Sequence, residues 1–196
     1  MRKKKLLIVV DMQNDFITGT LGSKDAQKIV PNVVEKIKKW KGVVQATFDQ
    51  HDKNYLNTLE GKKLPIVHCI EYTSGGCIHH DIVEVLKERG VWCRGKDRFG
   101  DYSLFSKLAE EDHRETLTFS VVDGTLVEEY KSHISEIQIV GLHTDTSVIS
   151  NAILAKSYFP ETPIIVDASC CSGTTLYNHK AALKIMESCQ IDVINK

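Results

Sequence analysis

The feature that most constrains this chain is a rhythm: short runs of aliphatic, often β-branched residues, each followed by a longer amphipathic stretch. Residues 6–10 are apolar without interruption, whereas residues 26–40 place Ile29, Val33, Ile37 and Trp40 at helical spacing. A strand with no polar side is one covered on both faces, as in parallel sheets. The rhythm continues with strands expected at 43–48, 66–70, 91–94, 137–142, 164–166 and 191–194. Helices are expected at 82–89, 148–158 and 176–189, with Pro160 and Pro163 closing the second of these. Strand alternating with helix predicts an α/β fold, a three-layer α/β/α sandwich around a mainly parallel sheet of about six strands joined by right-handed crossovers. Residues 107–120 fit less well, being polar and then strand-like from 116 to 121, and read as an inserted excursion. With 196 residues, no repeat, no low-complexity tract and only four prolines, the chain reads as a single domain over 1–196.

Charge and cysteine usage exclude several classes. Lys+Arg 25 against Asp+Glu 26 leaves a net charge of -1, so no field favours nucleic acid or an anionic membrane. The apolar run at 6–10 is shorter than a signal h-region of about 7–15 residues, and Asp11 cuts it. The cysteines at 69, 77, 93, 170, 171 and 189 are scattered, with no C-x-x-C pair. They read as reduced thiols, and a cytoplasmic location is expected. Neither G-x-G-x-x-G nor G-x-x-x-x-G-K-[ST] follows the first strand, which argues against a nucleotide-binding domain.

In open parallel sheets ligands bind outside the carboxyl ends of the strands. The polar residues expected there are Asp11, Asp49 with His51, His68, Lys96 and the turn 144–147, all gathered on one rim. Asp11 alone reads equally as a turn cap. Asp49-x-His51 on an extended segment projects both side chains from one side, and His68 would supply a third ligand for Zn²⁺, Fe²⁺ or Mn²⁺. On pattern alone the metal reading and that of ordinary polar residues are evenly matched. His79-His80-Asp81 reads instead as the polar entry to the helix at 82–89. The run from Gly141 to Val148 reads as strand, tight turn and helix, where backbone N–H groups suit an oxyanion, although Ser and Thr here also serve as plain N-caps.

Together these segments resemble the cysteine hydrolases of the isochorismatase-like superfamily, and within it the nicotinamidases. The resemblance spans nearly the whole chain in order. It comprises Val9-Val10-Asp11-Met12-Gln13-Asn14-Asp15-Phe16, Thr47-Phe48-Asp49-Gln50-His51, Glu60 through Pro65 leading to His68-Cys69, Lys96 before Asp101-Tyr102-Ser103, and Gly141 through Val148. It implies that Asp11, Lys96 and the residue at 147 form the catalytic triad, and that Asp49, His51 and His68 hold one divalent metal, zinc first, with Glu60 a further ligand. It implies also that Phe16 and Tyr102 line the ring pocket. A cis Leu142–His143 peptide would aim the N–H groups of His143 and Ser147 at the oxyanion. The activity implied is hydrolysis of nicotinamide to nicotinate and ammonia through a thioester, a step of NAD salvage. Family members often self-associate, but no patch of this sequence can be read as an interface.

The chain departs from that family at the reacting atom, because Ser147 stands where the family carries cysteine. A thiol ionises far more readily than a hydroxyl, so turnover is expected to be slow or absent. Either a cysteine was replaced by serine, an exchange that traps substrate, or serine is native. The retention of every other catalytic and metal position favours the first. Gly76-Cys77 and the segment 107–120 depart too, and bear on the substrate more than on the fold. Alternatives are a related hydrolase acting on another small amide or on isochorismate, and a non-catalytic protein that binds small molecules in the same pocket.

Overall fold

The computed structural model describes residues 4–91, 93–96, 105–108 and 134–196. β1 (Lys4–Val10) is buried from Leu6 onward. Its side chains alternate between two cores: Leu7 and Val9 enter one, Leu6, Ile8 and Val10 the other. That double burial is why this stretch of sequence shows no polar alternation. Each such side chain contributes roughly 1.5–3 kcal/mol on burial, so a polar residue on either face of β1 would be strongly destabilising.

Six strands form one parallel sheet in the order β3-β2-β1-β4-β5-β6. β2 is Val43–Asp49, β3 Cys93–Lys96, β4 Ile134–Leu142, β5 Ile164–Ser172 and β6 Asp192–Ile194. One face is covered by α2 (Lys24–Lys39) and α4 (His80–Glu88), through Ile29, Val33 and Ile37 of the first and Ile82, Val85 and Leu86 of the second. The other face is covered by α5 (Ile149–Tyr158) and α6 (Leu176–Ser188), with Ala152, Ala155, Leu183 and Met186 inward. Ser23 caps α2, its Oγ accepting from the Ala26 amide at 3.0 Å. Two short helices, α1 (Asn14–Ile17) and α3 (Leu59–Lys63), lie in the loops after β1 and β2. The three-layer sandwich read from the sequence is therefore present.

One strand expected from sequence is not. Residues 66–70 are apolar apart from His68 yet do not join the sheet; among the described residues their ladder contact is a single parallel bridge from His51 to Ile70. Ile66 and Val67 face solvent, so apolar character here does not report sheet burial. The expected strand at 164–166 continues to Ser172, and the one at 91–94 lies at Cys93–Lys96. His79-His80-Asp81 opens α4, with Asp81 in its first turn. The strand-like stretch at 116–121 and most of 107–120 lie outside the described residues.

Candidate active site and metal centre

β1 and β4 are sheet neighbours at the point where the strand order reverses. The chain leaves β1 towards one face and β4 towards the other, and at such a point open α/β sheets hold their ligands. Asp11 stands at that point, fully buried, with φ 48, a left-handed conformation that Asp tolerates better than most residues. Its Oδ1 accepts from Thr47 Oγ1 at 2.8 Å, and its amide donates to Thr47 O at 3.2 Å. Opposite, Gly141 has φ 122, and a Cβ there would lie 2.0 Å from Val10 O. Glycine is thus required for β1 and β4 to meet at the site.

Asp49, the last residue of β2, gathers with His51 and His68. All three are buried, and one ligand atom from each lies within 4.8 Å of the other two. His51 Nε2 is 3.0 Å from Asp49 Oδ2, and His68 Nε2 is 3.5 Å from the same oxygen. Glu60 Oε1, from α3, stands 3.9 Å from His51 Nε2. His68 Nδ1 lies 2.8 Å from Ile66 O. A carbonyl only accepts, so Nδ1 carries the proton and Nε2 faces the cluster, which is the tautomer a metal ligand needs. Burial opposes the charged form of His68, but hydrogen bonds to Asp49 and Ile66, with the charges of Asp49 and Glu60, raise its pKa overall. Tyr55 packs on His51 and His68 with ring centroids 4.6 and 5.0 Å away, and donates to Leu64 O at 2.9 Å. Burial, with Glu60 and Asp49 nearby, pushes that phenol up to about 12, so it stays neutral. Two imidazoles and a carboxylate converging with this tautomer fit a divalent transition metal, with positions left for water or substrate.

Past β4 the Leu142–His143 peptide is cis. A π-turn (Thr144–Val148) then leads into α5. The amides of Thr146 and Val148 both donate to His143 O at 3.1 Å, tightening the turn around Ser147. Ser147 is buried, and its carbonyl accepts from Asn151 Nδ2 at 2.8 Å. The turn is braced from behind. Asp145 Oδ1 accepts from the Thr174 amide at 2.8 Å, Asp145 Oδ2 from Thr174 Oγ1, and Thr144 Oγ1 lies 2.8 Å from His179 Nδ1. Burial pushes His143 down to about 4, so its imidazole is neutral at ordinary pH. Phe16 stands between the halves of the site, its ring 5.0 Å from His143 in a T-shaped contact and 5.5 Å from His68.

The sequence-predicted residues Asp49, His51, His68 and Glu60 are thus brought together, with Phe16 bridging to His143. Lys96 ends β3 in register with Asp49; its side chain, and all of Tyr102, lie outside the described residues. Sequence reasoning assigned no individual role to Thr47, Gln13, Asp15 or His179, and placed Thr144 only as part of the turn 144–147. A polar residue such as Thr47 between the apolar Ala46 and Phe48 of β2 was the one available signal.

An Asp–His–His group that could hold a metal ion, beside a strand–turn–helix elbow at the topological switch point, defines an α/β protein with a candidate metal site. The chain belongs to the isochorismatase family: the family model described as Isochorismatase domain matches residues 5–196. Among solved structures it is similar to the pyrazinamidase/nicotinamidase of Streptococcus mutans, at 22% identity and TM-score 0.76, covering 97% of this chain and 99% of that one. It is similar also to the pyrazinamidase of Pyrococcus horikoshii in complex with zinc, at 21% identity and TM-score 0.70, covering 98% and 99%. The N-carbamoylsarcosine amidase of Thermoplasma acidophilum matches at 19% identity and TM-score 0.69, covering 97% and 95%. At these identities the likeness is one of fold. No curated protein sequence matches the chain significantly. Among the described residues no helix is long and apolar enough to cross a membrane.

Proposed function

We propose that this chain is built, as one domain, for metal-assisted hydrolysis of a small amide, nicotinamide first, and that Ser147 in place of cysteine leaves its turnover slow or absent. The observation that carries the reading is the buried convergence of Asp49, His51 and His68, with His68 Nε2 turned inward, next to Phe16 and the Ser147 turn. In this reading Asp49, His51 and His68, with Glu60 at the edge, hold a divalent metal, Zn²⁺ first. Bound there, the ion would polarise the substrate or hold water beside it. Phe16 packs on the substrate ring, with Tyr102 as its partner.

Asp11, fixed by Thr47, accepts the proton of the nucleophile at 147, while the positive charge of Lys96 holds the carboxylate and nucleophile together. The nucleophile's heteroatom bonds to the amide carbon, and the backbone N–H groups of His143 and Ser147 stabilise the oxyanion. The C–N bond then breaks, Asp11 returns the proton to nitrogen, and ammonia leaves. Water hydrolyses the acyl-enzyme to the acid. With sulfur at 147 the acyl group is a thioester; with Ser147 it is an ester, and the first step needs a far stronger base. The test is ammonia release from nicotinamide and other small amides by the Ser147→Cys protein, with and without chelator. No release in either state would reject the reading.

Ser147 itself favours a second reading, a binding protein that holds small molecules without turnover. Nicotinamide bound by the unaltered chain, together with no turnover by Ser147→Cys, would establish it.

A further inference from the structure

Asp49, His51 and His68 come from two separate stretches of chain, and the strand expected to carry His68 is absent. What sets these ligands at their mutual distances is found in the loop after β1. Gln13 is fully buried, and its side-chain amide spends every hydrogen-bonding group on backbone. Its Oε1 accepts from the Asp49 amide at 2.7 Å, and its Nε2 donates to Asp49 O and to Gly76 O, each at 2.8 Å. The Gln13 amide thereby stands in for a neighbouring strand, because the β1–β2 pairing in the ladder ends at Val9 and Ala46. On the other side Asp49 pairs with Lys96 of β3, so its backbone is held from both edges.

Asp15 does the corresponding work for the histidines. Its Oδ2 accepts from the Cys69 amide at 2.8 Å. Cys69 follows His68 directly and has φ 47, and its carbonyl accepts from the His51 amide at 3.0 Å. One carboxylate thus fixes the residue through which both histidine backbones are registered. Space for it is made by Gly75, where a Cβ would lie 2.2 Å from Asp15 Oδ2. Gln13 and Asp15 thus both act on the backbone of the cluster.

We infer that Gln13 and Asp15 are positioning residues of the metal centre, Gln13 setting Asp49 and Asp15 setting His51 and His68 through Cys69. This rests on the metal reading above. Clamps that orient ligands change metal affinity by about 10–100-fold when removed, whereas a clamp that merely holds the fold lowers the stability of the metal-free protein and leaves affinity alone.

The experiment is Zn²⁺ titration of the full chain against a competing chromophoric chelator, paired with urea unfolding of the metal-free protein. The variants are Gln13→Glu, Asp15→Ala and Asp15→Asn. Gln13→Glu keeps one acceptor and loses both donors, and Asp15→Asn keeps an acceptor for the Cys69 amide. Expected are Zn²⁺ dissociation constants raised about 10–100-fold in Gln13→Glu and Asp15→Ala, with Asp15→Asn within about threefold of the unaltered chain. Asp15 is only half-buried, so Asp15→Ala is expected to fold even if Gln13→Glu does not, and its result decides the matter for the histidines. Tight Zn²⁺ binding by the unaltered chain with unchanged affinity in a folded Asp15→Ala overturns the inference alone. No Zn²⁺ binding by the unaltered chain overturns the metal reading and this inference with it.

Discussion

The two sides of the switch point build their halves of the site by different means. On the β2–β1 side the candidate ligands sit at the end of β2 and in the loop that follows it, and side chains from the loop after β1 hold them by hydrogen bonds to backbone across 36 and 54 residues. On the β4–β5 side the turn that carries Ser147 is short and set by its own backbone, with one brace from Thr174 and His179 behind it. The first half depends on distant polar partners; the second depends on which atom the turn presents. A single substitution should therefore strike the halves through separate observables, ion binding on one side and turnover on the other.

The largest expected effect isolates the nucleophile half. Ser147→Cys should raise amide turnover by roughly 10³-fold or more, since a missing nucleophile costs enzymes of this kind several orders of magnitude. Zn²⁺ affinity should not change; ammonia release and chelator competition measure the two separately. An altered Zn²⁺ affinity would break the division between the halves.

Next comes the ion. In the Ser147→Cys background, His51→Ala should weaken Zn²⁺ binding by at least about 100-fold and lower turnover in proportion, because one of three converging protein ligands is lost. Circular dichroism should show an unchanged fold. Full Zn²⁺ affinity in that variant would remove His51 from the ligand set.

The third effect is on stability and belongs to His143. Its folded pKa lies at about 4, below the ordinary 6.5, because burial disfavours the charged ring. Below pH 6.5 the unfolded chain takes up a proton that the folded chain refuses, so stability falls as pH drops from about 6.5 toward 4. The loss should be on the order of 3 kcal/mol. Urea midpoints at pH 7 and pH 4.5 measure it, and His143→Gln should flatten that part of the profile. A slope of the same size in His143→Gln would assign it to other groups.

The smallest effect sharpens the brace. Asp145→Ala deletes the acceptor of the Thr174 amide and hydroxyl. It should cost about 1–2 kcal/mol of stability and, in the Ser147→Cys background, lower turnover several-fold with Zn²⁺ affinity intact. Lost Zn²⁺ affinity there would mean that the halves are coupled through the sheet.

Much of the fold was legible because double-sided burial leaves a signature in one dimension: residues 6–10 are apolar throughout, and 137–142 are apolar but for Gln138. The run at 66–70, apolar apart from His68, lies outside the sheet, since Ile66 and Val67 are in a solvent-facing loop and composition does not report what a side chain packs against. The candidate ligand group was legible as a list, from Asp49-x-His51 with His68, although only Asp49 lies at a strand end and His68 reaches the group from a loop. The clamps were not. Gln13 and Asp15 are ordinary loop residues until the backbone they bond arrives from elsewhere in the chain.

The sequence by itself determined the layered α/β plan, through the period of its apolar residues, and the chemical character of position 147, a hydroxyl. Only the tertiary structure decided which nitrogen of His68 faces the cluster, that His143 is held neutral, and that Gln13 and Asp15 govern backbone far from themselves in the chain. The physical reason is range. Hydrophobic periodicity is a local property of the chain, whereas protonation, tautomer and hydrogen-bond partnership depend on groups that become neighbours only when the sheet is wound.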